Sequence, residues 1–316
     1  MEYRQLGSAG VRVSVIGLGT NRFGSDGVPQ GVVNSILDAA LDLGINFIDT
    51  ADIYTGSESE RVLGQAMKGR WDHFVVATKF SMAAGEGTND RGASRYHIMN
   101  AVEASLRRLQ SDHIDLYYVH AWDDATPIDE TLRALDDIIT AGKVRYVGAS
   151  NFASWQLAHA NLLAEVSGWT PFVVLQSHYH MLERGVERES LPYCAAHGVG
   201  FVPYFPLAGG FLTGKYRRGE VAPRGSRGET NAYVQGYMTA ANYTVVEMLS
   251  VWAETRGHRM NELAEAWLLA QPAVCSVISG VTKLEQLRSN AEAAAWVLSE
   301  EDVAEVNAIL DGEQAT

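Results

Sequence analysis

The stretches VVNSILDAALDLG (32–44) and INFIDTA (45–51) set a rhythm that the chain repeats, and this rhythm limits the possible folds more than any other feature. In the first, apolar residues at 32, 33, 36, 37, 40 and 41 share one face of a 3.6-residue helix that stops at Gly44. The second is a short apolar strand. The pair recurs as ESERVLGQAMKG with HFVVATKF, SRYHIMNAVEASLRRLQ with IDLYYVHA, and PIDETLRALDDIITAGK with VRYVGAS. It continues as ASWQLAHANLLAEVSG with FVVLQS, ESLPYCAAHG with VGFVPYFPL, and NELAEAWLLAQ with CSVISGV. SVIGLGT, residues 14–20, supplies the first strand and brings the count to eight. Nearly all-apolar strands alternating with amphipathic helices require a parallel sheet covered by helices. Eight such units in 316 residues predict a closed (β/α)8 barrel, a single α/β domain over 1–316. An open doubly wound sheet is the alternative, but the turn GLGTNRFGSDG lacks the GxGxxG spacing and later acidic residue it would want.

Ahead of the barrel, YRQLGSAGVRV (3–13) reads as a hairpin around a Gly-Ser-Ala-Gly turn. The longest interruption, 207–242, is rich in Gly, Arg, Asn and Tyr, and a loop this long in a compact domain is usually functional. A net charge of −13 argues against a nucleic-acid partner, which needs a basic face. Cys194 and Cys275 are far apart without ligand spacing, so neither a disulfide framework nor a metal site is expected. MEYRQLGSAG has no apolar signal core, and no run approaches the roughly 18 apolar residues of a membrane span. The expectation is a cytoplasmic protein with no membrane partner.

Chemistry gathers where the strands stop. Asp49 ends the second strand, Lys79 the third, His120 the fourth, Ser150 and Asn151 the fifth, Gln176 the sixth and Tyr204 the seventh. In a barrel these C-terminal ends share one mouth, where active sites of this fold are built. Singly, a strand-end His is commonly a hydrogen-bonded core residue and a strand-end Asp a helix cap. Together, Asp49 and Lys79 on neighbouring strands form an ion pair, and an ammonium facing the Tyr54 hydroxyl would draw its pKa from about 10 toward neutrality. Tyr54 would then serve as a general acid, with His120 hydrogen-bonding a carbonyl oxygen as charge develops on it. No side chain supplies hydride, so a cofactor must.

IDTADIY, VVATK, DLYYVH, VGASN, LQSHYH and SGVTKLEQLRSN resemble the aldo-keto reductase superfamily, and EASLRRLQSDHIDLYYVH and PLAGGFLTGKY its branch of bacterial aldo-keto reductases and potassium-channel β subunits. The resemblance implies NADPH-dependent reduction of a small carbonyl substrate, with Asp49, Tyr54, Lys79 and His120 as the catalytic tetrad. It further implies that Ser150, Asn151 and Gln176 bond the nicotinamide carboxamide and that Tyr204 stacks on the ring. By the same resemblance, Thr20, Asn21 and Asp49 would line the same end, and Pro206, Leu207, Gly280, Thr282, Gln286 and Asn290 would complete the cofactor contacts. Thr282 with Glu285 three residues on has capping-box spacing, which would aim free backbone N–H groups at an anion.

The segment KYRRGEVAPRGSR (215–227) holds five basic residues and one acid, and reads as a flap placing Lys215 and Arg227 on the cofactor phosphates. Gln286 and Val281 stand where some relatives have the Arg and Ser that grip a 2′-phosphate, so NADH is possible. Two other functions fit the same residues, an NAD-linked sugar or alcohol dehydrogenase and a nucleotide-sensing regulatory subunit. Phe23, Phe80 and Trp122 line either a substrate pocket or the wall. Substrate and oligomeric state are not encoded in any motif.

Overall fold

The computed structural model describes residues 1–312. The chain opens with the predicted hairpin, β1 (Tyr3–Gln5) antiparallel to β2 (Arg12–Ser14). The repeating units follow as β3 (Ile16–Gly19), α1 (Gln30–Asp42), β4 (Phe47–Asp49), α2 (Glu58–Ala66), β5 (Val75–Phe80), α3 (Arg95–Leu109), β6 (Ile114–Val119) and α4 (Ile128–Thr140). They continue through β7 (Val144–Ser150), α5 (Ser154–Ser167), β8 (Val174–His178), α6 (Ser190–His197) and β9 (Gly200–Tyr204). The segment expected as a loop holds two four-residue helices, α7 (Arg227–Thr230) and α8 (Ala232–Gln235). Then come α9 (Ala240–Glu254), α10 (Met260–Leu269), β10 (Val277–Gly280), α11 (Leu284–Ala293) and α12 (Glu300–Leu310). Strands β3 to β10 close into an eight-stranded parallel barrel, with β10 pairing back on β3. Among the described residues, no helix is long and apolar enough to cross a membrane.

Alternation along each strand divides the core in two. Ile16, Leu18, Ile48, Val76, Tyr117, Val147 and Phe201 point outward and pack under the helices. Phe47, Ala77, Leu116, Tyr118, Val174, Val202 and Ile278 point inward, and Leu6, Ala9 and Val13 of the hairpin join them from below. The hairpin thus plugs the barrel floor. Gly7 makes this contact possible: its φ is +60°, and a Cβ there would sit 2.1 Å from the Val173 carbonyl oxygen. Among the described residues, the barrel interior is left open at the other mouth, at the C-terminal ends of the strands.

Candidate active site

Inward parity carries past the apolar layer to the mouth. Asp49 is two residues beyond Phe47, Lys79 beyond Ala77, His120 beyond Tyr118, Gln176 beyond Val174, Tyr204 beyond Val202 and Gly280 beyond Ile278. Lys79 has no exposed surface, and its three protons all find acceptors: Asp49 Oδ1 at 2.6 Å, the Thr50 carbonyl at 2.8 Å and the Tyr54 hydroxyl at 3.3 Å. The other Asp49 oxygen accepts from Gln176 Nε2 at 2.8 Å. Because the Tyr54 oxygen accepts from Lys79, its own proton is left to donate to a ligand.

The loop from β4 to α2 holds Tyr54 in place. Thr55 and Ser57 take left-handed backbone conformations at φ 51° and 72°, costing on the order of 1–3 kcal/mol each. The Thr55 hydroxyl anchors the loop by donating to the Phe23 carbonyl at 2.5 Å, and Ser57 donates to the Asp52 carbonyl at 2.6 Å.

The electrostatics differ from the sequence expectation at Tyr54. Burial pushes its pKa above the ordinary 10.0, and the opposing pull of Lys79 does not overcome it. At rest the phenol is therefore neutral; the predicted shift toward neutrality is corrected because desolvating a phenolate costs more than one shared ammonium returns. Burial lowers the Lys79 pKa, but Asp49 and then Tyr54 outweigh it and the ammonium stays charged. His120 is pushed down to about 3 by burial and by the Lys79 charge, so its ring is neutral. Its Nδ1 is buried without a partner, which leaves Nε2 as the nitrogen able to meet a ligand.

The residues expected to hold a nicotinamide divide between free and engaged groups. Ser150 ends β7 and Asn151 follows at φ 58°, a conformation asparagine tolerates well. Asn151 Nδ2 donates to the His120 carbonyl at 3.0 Å and to Ser150 Oγ at 3.1 Å, and its Oδ1 accepts from the Tyr204 hydroxyl at 2.9 Å. Sequence reasoning missed this bracing of His120, and also the hold of Gln176 on Asp49. Tyr204 is half-buried, with one face stacked on His178 at 5.4 Å and 13°. Thr20 falls on the outward parity with Ile16 and Leu18; it is fully buried, and its hydroxyl bonds the Asp49 carbonyl at 3.0 Å and Ser59 at 2.9 Å. It backs the strand end and offers a ligand no surface.

At the other end, Gly280 is exposed, and a Cβ on it would meet only Asn21 Oδ1, at 3.6 Å. Pro206 is buried and Leu207 half-buried in the turn that leaves β9. The capping box expected at Thr282 and Glu285 does not form. The helix starts at Leu284 with Lys283 at its N-cap, one residue later than the pattern needs. Thr282 instead donates its N–H, at 2.7 Å, and its hydroxyl, at 3.1 Å, to Gln286 Oε1. Asn290 is buried, Val281 is buried, and Gln286 is exposed beyond that bond. Lys215 is exposed, whereas Arg227 is half-buried over the Phe205 ring at 5.9 Å. Burial, and then the charge of Arg22, lower the Arg227 pKa, and no carboxylate pairs with either arginine among the described residues. Two unpaired guanidiniums in a protein of net charge −13 fit an anionic group such as a diphosphate. Phe23 and Phe80 have no exposed surface and belong to the wall; Trp122 is half-buried at the mouth, 5.8 Å from Trp155.

This chain is similar to three proteins across nearly its whole length. It is 37% identical to the uncharacterized oxidoreductase YrpG of Bacillus subtilis, over 99% of this chain and 97% of that one. It is 35% identical to a probable voltage-gated potassium channel subunit beta of Arabidopsis thaliana, over 93% and 91% of the two chains. The norsolorinic acid reductase of Aspergillus flavus is 35% identical, over 95% of this chain and 78% of that one. The model of the aldo/keto reductase family matches residues 15–311, every strand of the barrel included, and the chain belongs to that family.

Proposed function

We propose that the protein is a carbonyl reductase that uses NADPH and takes its proton from Tyr54. The observation that carries this reading is the Tyr54 oxygen accepting from a buried Lys79 that Asp49 keeps charged, while its own proton stays free. A bound nicotinamide dinucleotide supplies the hydride that the carbonyl carbon receives. Tyr54 gives its proton to the carbonyl oxygen, which becomes the alcohol, and Lys79 stabilises the phenolate left behind. His120, neutral, donates a hydrogen bond from Nε2 to the same oxygen. Gln176 Oε1, Ser150 and Asn151 would hold the carboxamide, the free face of Tyr204 the ring, and Arg22, Lys215 and Arg227 the phosphates. The preference for NADPH over NADH rests on one of Arg22, Lys215 and Arg227 meeting the 2′-phosphate in addition to the shared diphosphate; the Gln286 and Val281 positions add no charge to it.

Tyr54→Phe tests the mechanism. Steady-state turnover of an aldehyde panel should fall roughly a hundred- to ten-thousandfold, while NADPH affinity by fluorescence titration stays within twofold or so. Full activity in this variant sinks the reading. The ratio of kcat/KM for NADPH and NADH, measured in both directions, separates it from an NAD-linked dehydrogenase. Tight NADPH binding with no turnover on any carbonyl would instead favour a nucleotide-sensing regulatory subunit; the Arabidopsis relative is itself named as a probable channel subunit.

A further inference from the structure

Lys79 lies on the inner side of β5, and a second polar cluster lies on the outer side, unused by the proposed reaction. Thr78 points outward and donates to Glu60 Oε1 at 2.6 Å; Arg108 of α3 bonds Glu60 Oε2 at 2.5 Å, and Glu60 has no exposed surface. Gly64, one turn along α2, lets the two helices close over this cluster, since a Cβ there would lie 2.4 Å from the Leu109 carbonyl oxygen. Asp52, two residues before Tyr54, faces the same compartment. It is 1% exposed, and neither carboxyl oxygen has a hydrogen-bond partner; the neighbouring Ile53 N–H acts on it but falls outside bonding geometry. The Tyr117 hydroxyl from β6 is likewise buried and unpartnered.

The charged and titratable groups facing Asp52 are Glu60 from α2, Arg108 from α3, Lys79 from β5, Tyr117 from β6 and Tyr54 on its own loop. The Arg108 guanidinium is already bonded to Glu60. An ionised Asp52 would therefore be a buried anion beside a second anion, with no hydrogen bond of its own, which is the costliest state available to a carboxyl group.

We propose that Asp52 is a neutral carboxylic acid in the active state and a positioning residue for Tyr54, so that loss of its proton slows turnover as pH rises through neutrality. The inference rests on Tyr54 being the proton donor. A phenolate forming on Tyr54 is stabilised by Lys79, and an Asp52 carboxylate two residues away opposes that stabilisation. Burial first, then Glu60, push the Asp52 pKa up to about 7 against the pull of Arg108. The groups of the proposed reaction titrate elsewhere, His120 near 3 and Tyr54 and Lys79 above their ordinary values.

The test is the pH profile of kcat for benzaldehyde at saturating NADPH, in wild type, Asp52→Asn, Glu60→Gln and Tyr54→Phe. Wild-type kcat should fall roughly tenfold between pH 6 and pH 9, around a midpoint near 7. Asp52→Asn should abolish that fall, and Glu60→Gln, by removing a facing negative charge, should move the midpoint to lower pH. The protonated-carboxyl infrared band in the wild-type minus Asp52→Asn difference spectrum, which cancels the buried Glu265, should disappear with the same midpoint and identifies the group without relying on activity. Retention of the fall in Asp52→Asn, or an unmoved midpoint in Glu60→Gln, overturns the assignment and leaves the role of Tyr54 standing. Wild-type turnover in Tyr54→Phe overturns both.

Discussion

Lys79 is a cation with no exposed surface, and Asp49 is the reason it stays one. Burial alone would drive the ammonium toward its neutral form, and the carboxylate at 2.6 Å reverses that. Asp49→Asn keeps the shape and a hydrogen-bond acceptor but removes the charge. We expect kcat to fall at least about tenfold at pH 8 and to recover in part as pH is lowered, because protonating Lys79 restores support for the phenolate. Thermal denaturation should show a smaller change than turnover does. At this scale the ion pair and its neighbours were legible from strand-end positions alone, since a residue's parity follows from counting by two. The same count could have set Thr20 aside, two residues beyond Leu18 on the outward face. The charge state of Tyr54 was not legible: it depends on how completely the hydroxyl is desolvated, and that is decided by residues distant in sequence.

Element boundaries followed the apolar periodicity closely, with β7 running over 144–150 as read from VRYVGAS. The segment after β9 was harder. Its Gly, Arg and Asn content signals irregular backbone, and the four-residue helices α7 and α8 are too short to leave a periodic signature. The role proposed for it rests on Arg227 at the start of α7, half-buried beside Arg22 and without a carboxylate partner among the described residues. Arg227→Ala should raise the Kd for NADPH about tenfold and flatten its dependence on salt, with a smaller effect on NADH. Fluorescence titrations at two ionic strengths check both. The misread capping box belongs here too: the Thr282 pattern matched a helix start, but a one-residue offset gave Gln286 the bond that Glu285 was expected to make. Terminal turns are decided by such offsets, and periodicity resolves them poorly.

Across the whole molecule, the closed barrel buries a second unpaired carboxyl group, behind the end of β10. Glu265 on α10 has no exposed surface; Ser279 of β10 donates to its Oε1 at 2.5 Å, and its Oε2 has no partner. Burial pushes its pKa from the ordinary 4.5 up to about 8. The folded state thus holds this proton more tightly than the unfolded chain, so the contribution is complete below about 4.5 and is lost as pH rises to about 8. Stability should decline in that window by at most about 1.4 kcal/mol per pH unit from this group. Glu265→Gln should lessen that slope, as urea denaturation at pH 5, 6.5 and 8 would reveal; an identical slope would refute the assignment. The barrel itself was legible because eight repeats leave few other topologies, whereas the hairpin's place inside it was not, its small residues carrying no sign of a destination. That placement bears on the order in which the molecule can be made. Arg4 bonds the carbonyls of Leu269 and Val274, both at 2.8 Å, and Gly7 lies against Val173 and Gly200. Residues 3–14 cannot settle until the last third of the chain has followed, so during synthesis the hairpin waits unpaired with its seat, and the plug of the barrel floor closes late in folding.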